Sequence, residues 1–492
     1  MRLFTVKNTV LLMKLGFKKP KASAILKQLV KLSPLYFSNA VNGLVVKKSL
    51  AIILLVFTTF SCGSSVSEKE PVEQSTLDQY IEVGTAIKED YDRDVERKKK
   101  KAKENPTYRV EVGTLQTEDG IQVINDQGNL TVGADQFSLY GNPLKGKSVG
   151  VVANQTSRVE NNSKHLVDYL MDKKIAIQKV FAPEHGFRGT ADAGEKVKDG
   201  IDSKTGLPII SLYGNNKKPS KEQLSGLDVV IFDIQDAGAR FYTYISTLHY
   251  VMEACAENNI KVLILDRPNP NGHYIDGPIL EPQHSSFVGM HPVPVVHGMT
   301  IGEYAQMING EEWLKNKVKA DITVIKVKNY NHQTAYSLPV KPSPNLPNDV
   351  AINLYPSLCF FEGTIISAGR GTNTQFQVFG APGLPTKFYP YTFTPQANEG
   401  AKYPKFKGQE CHGLNLQNNP KLDKLNLEWL IEAYVAYGKK ADFFTNFFTN
   451  LAGTKKLQEQ IENGYTYREI RATWLKDLEK YDSIRKKYML YD

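Results

Sequence analysis

The sequence predicts an α/β fold with a mainly parallel sheet, and two patterns point to it. Short apolar runs at strand length recur at 149–152, 177–181, 209–212, 229–233 and 262–266. Segments of helical spacing lie among them, at 165–172 (Leu166, Tyr169, Leu170) and at 242–257. Strands that alternate with helices form parallel sheets covered on both faces, and their loops at the strands' carboxyl ends make the ligand crevice. That rule places Asn154, Glu184, His185, Asp233, Asp236, Asp266 and Arg267 at a crevice. The sheet domain is expected over 131–300. A C-terminal α+β domain is expected over 301–492, opening with a Thr300/Glu303 capping box for a helix at 301–309. Helices at 457–463 and 468–486 follow, with no internal repeat.

Net charge excludes one class of partner. The chain carries 61 basic and 52 acidic residues, a formal charge of +9. Ten of the basic residues and no acid fall in 1–61, which leaves 51 against 52 for the rest. The basic excess therefore belongs to a leader, and a basic nucleic-acid-binding surface is not predicted. Lys47 and Lys48 precede an apolar run at 50–60 and then Ser61-Cys62-Gly63, the grammar of an export signal too short to span a bilayer. Cys62 at that place resembles the lipidated cysteine of a lipoprotein, so a lipid-anchored protein, periplasmic or on the cell surface, is expected. Residues 62–106 are rich in Glu, Lys, Ser and Asp and read as a charged tether, and 107–130 as a small β extension. Cys255, Cys359 and Cys411 are too widely spaced for a metal site or a disulfide framework and read as buried small hydrophobes.

Familiar cofactor motifs are absent. Gly369-Arg370-Gly371-Thr372-Asn373-Thr374 lacks the third glycine of a dinucleotide fingerprint and lies far from the first βα turn. No phosphate-cradling P-loop and no zinc spacing occur. Gly146-Lys147-Ser148-Val149-Gly150 spells a serine elbow but leads into a strand instead of joining strand to helix. No cofactor and no metal are expected.

The stretch 181–189, FAPEHGFRG, differs in kind. A strand ends in Pro, and a Glu-His pair follows before glycines that let the backbone turn tightly. The loop returns a second acid, Glu195, within DAGEKV at 192–197. Hydrolysis of a glycosidic bond usually needs two carboxyls, one protonated to assist the leaving oxygen and one ionised. Glu184 and Glu195 can fill those roles, with His185 and Asp236 in support; a structural ion-pair loop is the alternative. Arg188, Arg240, Arg267 and Arg370 are candidates for holding a carboxylate through a bidentate guanidinium. Asn154, Tyr242, Asn269 and Glu362 complete the expected binding set.

These stretches, together with DVVIFDIQDAGARFYTYISTL (228–248), DRPNPNG (266–272), KPSPNLP (341–347), FEGT (361–364) and GRGT (369–372), resemble the NamZ-type exo-β-N-acetylmuramidase family over about 131–492. The resemblance implies a Rossmann-like domain that bears the active site and a C-terminal domain that closes the cleft. It also implies release of terminal N-acetylmuramic acid (MurNAc) from the non-reducing ends of peptidoglycan fragments, with the Glu184 region catalytic. The expected partners are thus peptidoglycan-derived saccharides and, through the anchor, a membrane. A non-catalytic lipoprotein that binds cell-wall sugars or muropeptides is the alternative from another class. The chain departs from the family at 373–377, where Asn-Thr-Gln-Phe-Gln stands in place of Thr-x-Pro-Phe-Glu, so an acid there is replaced by a neutral amide.

Overall fold

The computed structural model describes residues 130–188 and 199–491. The leader, Cys62, the tether, the β extension before residue 130 and Glu195 lie outside the described residues.

A seven-stranded sheet forms the centre of the larger half. Its strands are β1 (Ser148–Ala153), β4 (Ala176–Ala182), β5 (Gly200–Ile201), β6 (Pro208–Ser211), β7 (Val229–Asp233), β8 (Lys261–Leu265) and β9 (Ile322–Ile325), in the spatial order β5-β6-β4-β1-β7-β8-β9. The short β2 (Arg158–Val159) and β3 (Lys164–His165) pair separately as a ribbon. All neighbours in the large sheet are parallel except β5 and β6. Counting the parallel strands by appearance, the order is 3-2-1-4-5-6, the doubly wound arrangement of the Rossmann fold.

Alternate side chains of each strand feed two cores. Val149, Val151, Val229 and Ile231 enter one; Val152, Val230, Phe232 and the helices behind them enter the other. Burial on both faces explains why the strands read as unbroken apolar runs. On one side lie α1 (Phe137–Leu144) and α2 (Leu166–Asp172), whose Tyr140, Leu144, Leu166 and Leu170 join the first core. After the single-turn α3 (Lys221–Leu224), the longer α4 (Tyr244–Glu257) and α5 (Ile301–Gly310) pack on the other face. The predicted capping box is present, with Thr300 and Glu303 closing the start of α5.

The expected division at residue 300 does not match the sheet. Strand β9 lies beyond it and pairs in register with β8, so the parallel sheet ends at Ile325. The remaining chain builds α6 (Asp349–Leu358), a three-stranded antiparallel sheet and a helical end. That sheet comprises β10 (Val378–Ala381), β11 (Tyr391–Phe393) and β12 (Cys411–Asn415), ordered β10-β12-β11. The helices are α7 (Glu428–Ala436), α8 (Phe448–Ala452), α9 (Lys456–Glu462) and α10 (Tyr467–Arg485). One continuous core joins both halves, running from Phe232 to Phe360, Phe448 and Trp474.

Register fixes where the crevice lies. Val152 is opposite Phe181, and Ala153 is opposite Asp233. Hence β1, β4 and β7 end at one level, at the point where the strand order reverses.

Candidate active site

Three segments leave those strand ends. After β4, Pro183 has no N–H to continue the ladder, and Gly186 N–H donates back to the Pro183 carbonyl at 3.0 Å. The turn needs a left-handed residue at its third position, and His185 supplies it with φ +69°, followed by Gly186 at +77°. A non-glycine side chain held there is strained, and His185 is buried against the cavity described below.

The turn presents Glu184 to the start of α4. Thr243 is the N-cap of that helix, yet its hydroxyl does not cap it. Instead Thr243 Oγ1 donates to Glu184 Oε2 at 2.6 Å. One residue on, the Tyr244 hydroxyl accepts from Asn154 Nδ2 at 2.8 Å and faces the carbonyls of Glu184 (3.4 Å) and Pro342 (3.3 Å). Burial raises the Tyr244 pKa and keeps its phenol a donor. Asn154 is itself set by the end of β1: its Oδ1 accepts from the backbone and hydroxyl of Thr156, and its carbonyl meets His165 Nε2 at 2.8 Å. The ends of β1 and β4, the start of α4 and the 342 segment thereby meet at one phenol.

Glu184, His185, Tyr242 and Thr243 form one wall of a cavity of about 490 Å³. Phe241, Tyr242, Tyr355 and Phe376 give it an aromatic floor of edge-to-face pairs. The Tyr242 hydroxyl is buried beside Tyr244, and burial raises its pKa well above the ordinary value.

The opposite wall comes from the C-terminal half. Glu362 and Arg370 both line the cavity and pair at 3.0 Å, Nε to Oε2. Gly369 and Gly371 flank Arg370 with φ of +78° and +80°, which makes the GRGT loop turn sharply on both sides of the arginine. Lys405 holds the segment beneath. Its ammonium donates to the carbonyls of Phe361 (2.9 Å), Glu362 (3.3 Å), Thr364 (2.6 Å) and Ile366 (3.2 Å). Burial pulls the Lys405 pKa below its ordinary value.

The structure gives other tasks to several residues expected at the ligand. Arg240 is fully buried and its guanidinium donates to four carbonyls, those of Pro278, Val293, Leu451 and Ala452, at 2.7–2.9 Å. Burial without an acid partner pulls it down to about 9. Arg267 makes a buried two-pronged pair with Asp233 at 2.6 and 2.9 Å. Arg188 pairs with Asp202 and Asp168. Asn269 ties the turn at 266–272 to Met299 and Asn271. Asp236 Oδ2 accepts from Gly238 N–H at 2.7 Å and lies 3.6 Å from His297 Nε2. None of these, nor Asn154, lines the cavity. Arg240, Arg267 and Asn269 are instead struts of the scaffold, Asp236 shapes its own loop, and Asn154 positions Tyr244. Glu184, His185, Tyr242, Glu362 and Arg370 do line it.

Sequence reasoning missed Thr243, Tyr244 and Lys405. The first two stand inside the 228–248 stretch and carried a signal. Lys405 has no local motif.

A Rossmann-ordered sheet whose strand-end glutamate shares a cavity with a Glu–Arg pair from a second half is a two-part α/β enzyme architecture with its site at the strand ends. Comparison with known proteins gives the family. The N-terminal domain model of exo-β-N-acetylmuramidase NamZ matches residues 149–350 and its C-terminal counterpart matches 353–491, so the chain belongs to the NamZ family of glycosidases. It is 40% identical over 378 residues to the peptidoglycan β-N-acetylmuramidase NamZ of Bacillus subtilis (strain 168), spanning 72% of this chain and 89% of that one. Two crystal structures of DUF1343 family proteins from Bacteroides fragilis NCTC 9343 are similar. One is 47% identical with a TM-score of 0.69, the other 28% identical with a TM-score of 0.65. Each alignment covers 74% of this chain and 99% of the other.

Proposed function

We propose that this enzyme releases terminal MurNAc from the non-reducing ends of peptidoglycan fragments by a two-carboxylate mechanism. The observation that carries this reading is the placement of Glu184, fixed through Thr243, in the same 490 Å³ cavity as Arg370 and Glu362. MurNAc differs from its neighbouring sugar by a lactyl carboxylate, and a guanidinium lining the cavity suits that group. In this reading Glu184 serves acid/base catalysis at the glycosidic oxygen. Arg370 meets the lactyl carboxylate, and Glu362 holds Arg370 in place. Glu195, eleven residues after Glu184 in the sequence, is the second carboxyl. The family membership and the 40% identity to a peptidoglycan β-N-acetylmuramidase support the substrate class.

Incubation with MurNAc-GlcNAc and with its isomer GlcNAc-MurNAc tests the proposal. Free MurNAc from the first alone is expected. Equal cleavage of both, or cleavage within longer chains, overturns the exo assignment. Unaltered turnover by a folded Glu195→Gln protein removes that residue from the mechanism.

The chain is further proposed to be exported and anchored through a lipid on Cys62, on the strength of the apolar run and Ser61-Cys62-Gly63. Palmitate labelling checks this: the wild type takes up label, and label retained by Cys62→Ala contradicts it.

A further inference from the structure

A second hollow, of about 340 Å³, is linked to the first through an aromatic contact. Phe287 lines the catalytic cavity, and its ring stacks on Tyr250 at 6.3 Å with 15° between planes. Tyr250 in turn lines the second hollow, together with Trp313, His291 and Lys315. That pair of rings links the linings of the two spaces.

The floor of this hollow is rigidly built. Trp313 stacks on His291 at 4.5 Å and 16°. His291 is locked from both sides, by His249 Nδ1 at 2.9 Å and the Tyr304 hydroxyl at 3.0 Å. Glu253 closes the chain, facing His249 at 3.4 Å and accepting from Lys218 Nζ (2.7 Å) and the Lys315 backbone (2.6 Å). That carboxylate is thus neutralised within the wall.

Cations stand at the rim. Lys217 Nζ lies 4.6 Å from the centroid of Phe287, the ring that contacts Tyr250. The exposed Lys315 lines the second hollow together with Trp313. Among the described residues neither lysine forms an ion pair, although the chain past its leader has no basic excess. Aromatic faces with a few placed polar groups suit a sugar ring, and unpaired lysines suit a carboxylate on it.

We infer that the second hollow is a leaving-side subsite, which seats a carboxylate-bearing sugar of the substrate chain beyond the bond being cut. Trp313 and Tyr250 carry the ring, and Lys315 and Lys217 meet its carboxylate. This rests on the proposed exo-muramidase reading and adds what that reading lacks, a preference for chain length. An exo-enzyme whose cavity takes only the terminal sugar treats a disaccharide and a tetrasaccharide alike. With the subsite, the second muramoyl residue contributes binding that a disaccharide does not have.

The experiment compares kcat/KM on MurNAc-GlcNAc with that on the tetrasaccharide MurNAc-GlcNAc-MurNAc-GlcNAc, for wild type, Trp313→Ala and Lys315→Glu. The expected result is a wild-type preference for the tetrasaccharide that both variants reduce by about tenfold, a change of about 1.4 kcal/mol. Disaccharide turnover stays within about twofold of wild type, inside the scatter of a surface change. Equal losses on both substrates, or unchanged tetrasaccharide turnover in both variants, overturns the subsite. Should Trp313→Ala not fold, Lys315→Glu decides, because its side chain is exposed. If wild type cleaves neither substrate, the exo-muramidase reading falls. Calorimetry of the tetrasaccharide on wild type and Lys315→Glu then still tests the hollow, and equal affinities overturn it.

Discussion

The two walls of the catalytic cavity are made by different means. On the sheet wall, Glu184 follows a strand and its backbone, its side chain and its neighbours are each tied to another strand end or to the start of α4. On the opposite wall, Glu362 stands in a short 3-10 turn (Cys359–Gly363) and Arg370 on the loop that follows it, between α6 and β10. That segment is held by one lysine reaching four carbonyls and by two left-handed glycines. Groups on strand ends are placed more finely than groups on loops. A reacting carboxyl needs that fineness, because a proton must pass over hydrogen-bond distance. A guanidinium that holds a carboxylate tolerates a looser mount. The difference matches the proposed division, with chemistry on the first wall and recognition on the second.

Kinetics of single variants can break that division. Glu184→Gln should lower kcat by about 10²–10⁴-fold, the usual effect of removing one acid/base group. Near-normal turnover by the folded variant would falsify its role. Arg370→Ala should act mainly on KM, raising it about 10–100-fold with a smaller change in kcat, as expected when a charge-assisted pair to substrate is lost. A larger loss in kcat than in KM would move Arg370 to the chemical side.

The next effect is on stability and depends on pH. His165 caps α2 by accepting from Val167 N–H, and its other nitrogen meets the Asn154 carbonyl. The cap requires the neutral ring, whereas Nε2–H goes on donating to the Asn154 carbonyl in either state; burial outweighs that second bond and lowers the pKa from 6.5 to about 4. Because the folded value lies below the unfolded one, the stabilisation is complete above pH 6.5 and is lost as pH falls from there towards 4. The shift corresponds to about 3 kcal/mol. Denaturant titrations of wild type and His165→Asn across that range should converge as pH falls; parallel curves would remove His165 from the acid response. The smallest effect belongs to Thr243→Val. It should cost about tenfold in kcat through loss of one hydrogen bond to Glu184, about 1.4 kcal/mol. Its melting temperature should stay close to wild type, because the Thr243 hydroxyl does not cap its helix. A large fall in stability with unchanged kcat would make Thr243 a structural residue.

Much of the sheet wall was legible because its signals are local. Buried parallel strands appear as apolar runs, and Pro-Glu-His-Gly announces a turn after one of them. The arginines were less readable. A guanidinium in a loop has the same letter whether it meets a ligand or a carbonyl, and the partners of Arg240 include Leu451 and Ala452, more than two hundred positions away. Lys405 escaped for the same reason, since its role exists only once 361–366 folds around it. The boundary at 300 failed because β9 pairs with β8 across an intervening helix, a non-local fact.

Tyr491 shows how little the two halves are modules. Its hydroxyl donates to Asp266 Oδ2 at 2.6 Å and accepts from Val327 N–H at 2.8 Å, while Leu490 N–H donates to Glu303 Oε1. Asp266 sits where β8 ends, so the last described turn of chain braces the sheet that was laid down first. Separating the halves near residue 350 would leave Asp266 and Glu303 short of donors in a dry interior. The molecule is a loop fastened to itself, and a tag or truncation at residues 490–491 would loosen the active-site half from behind.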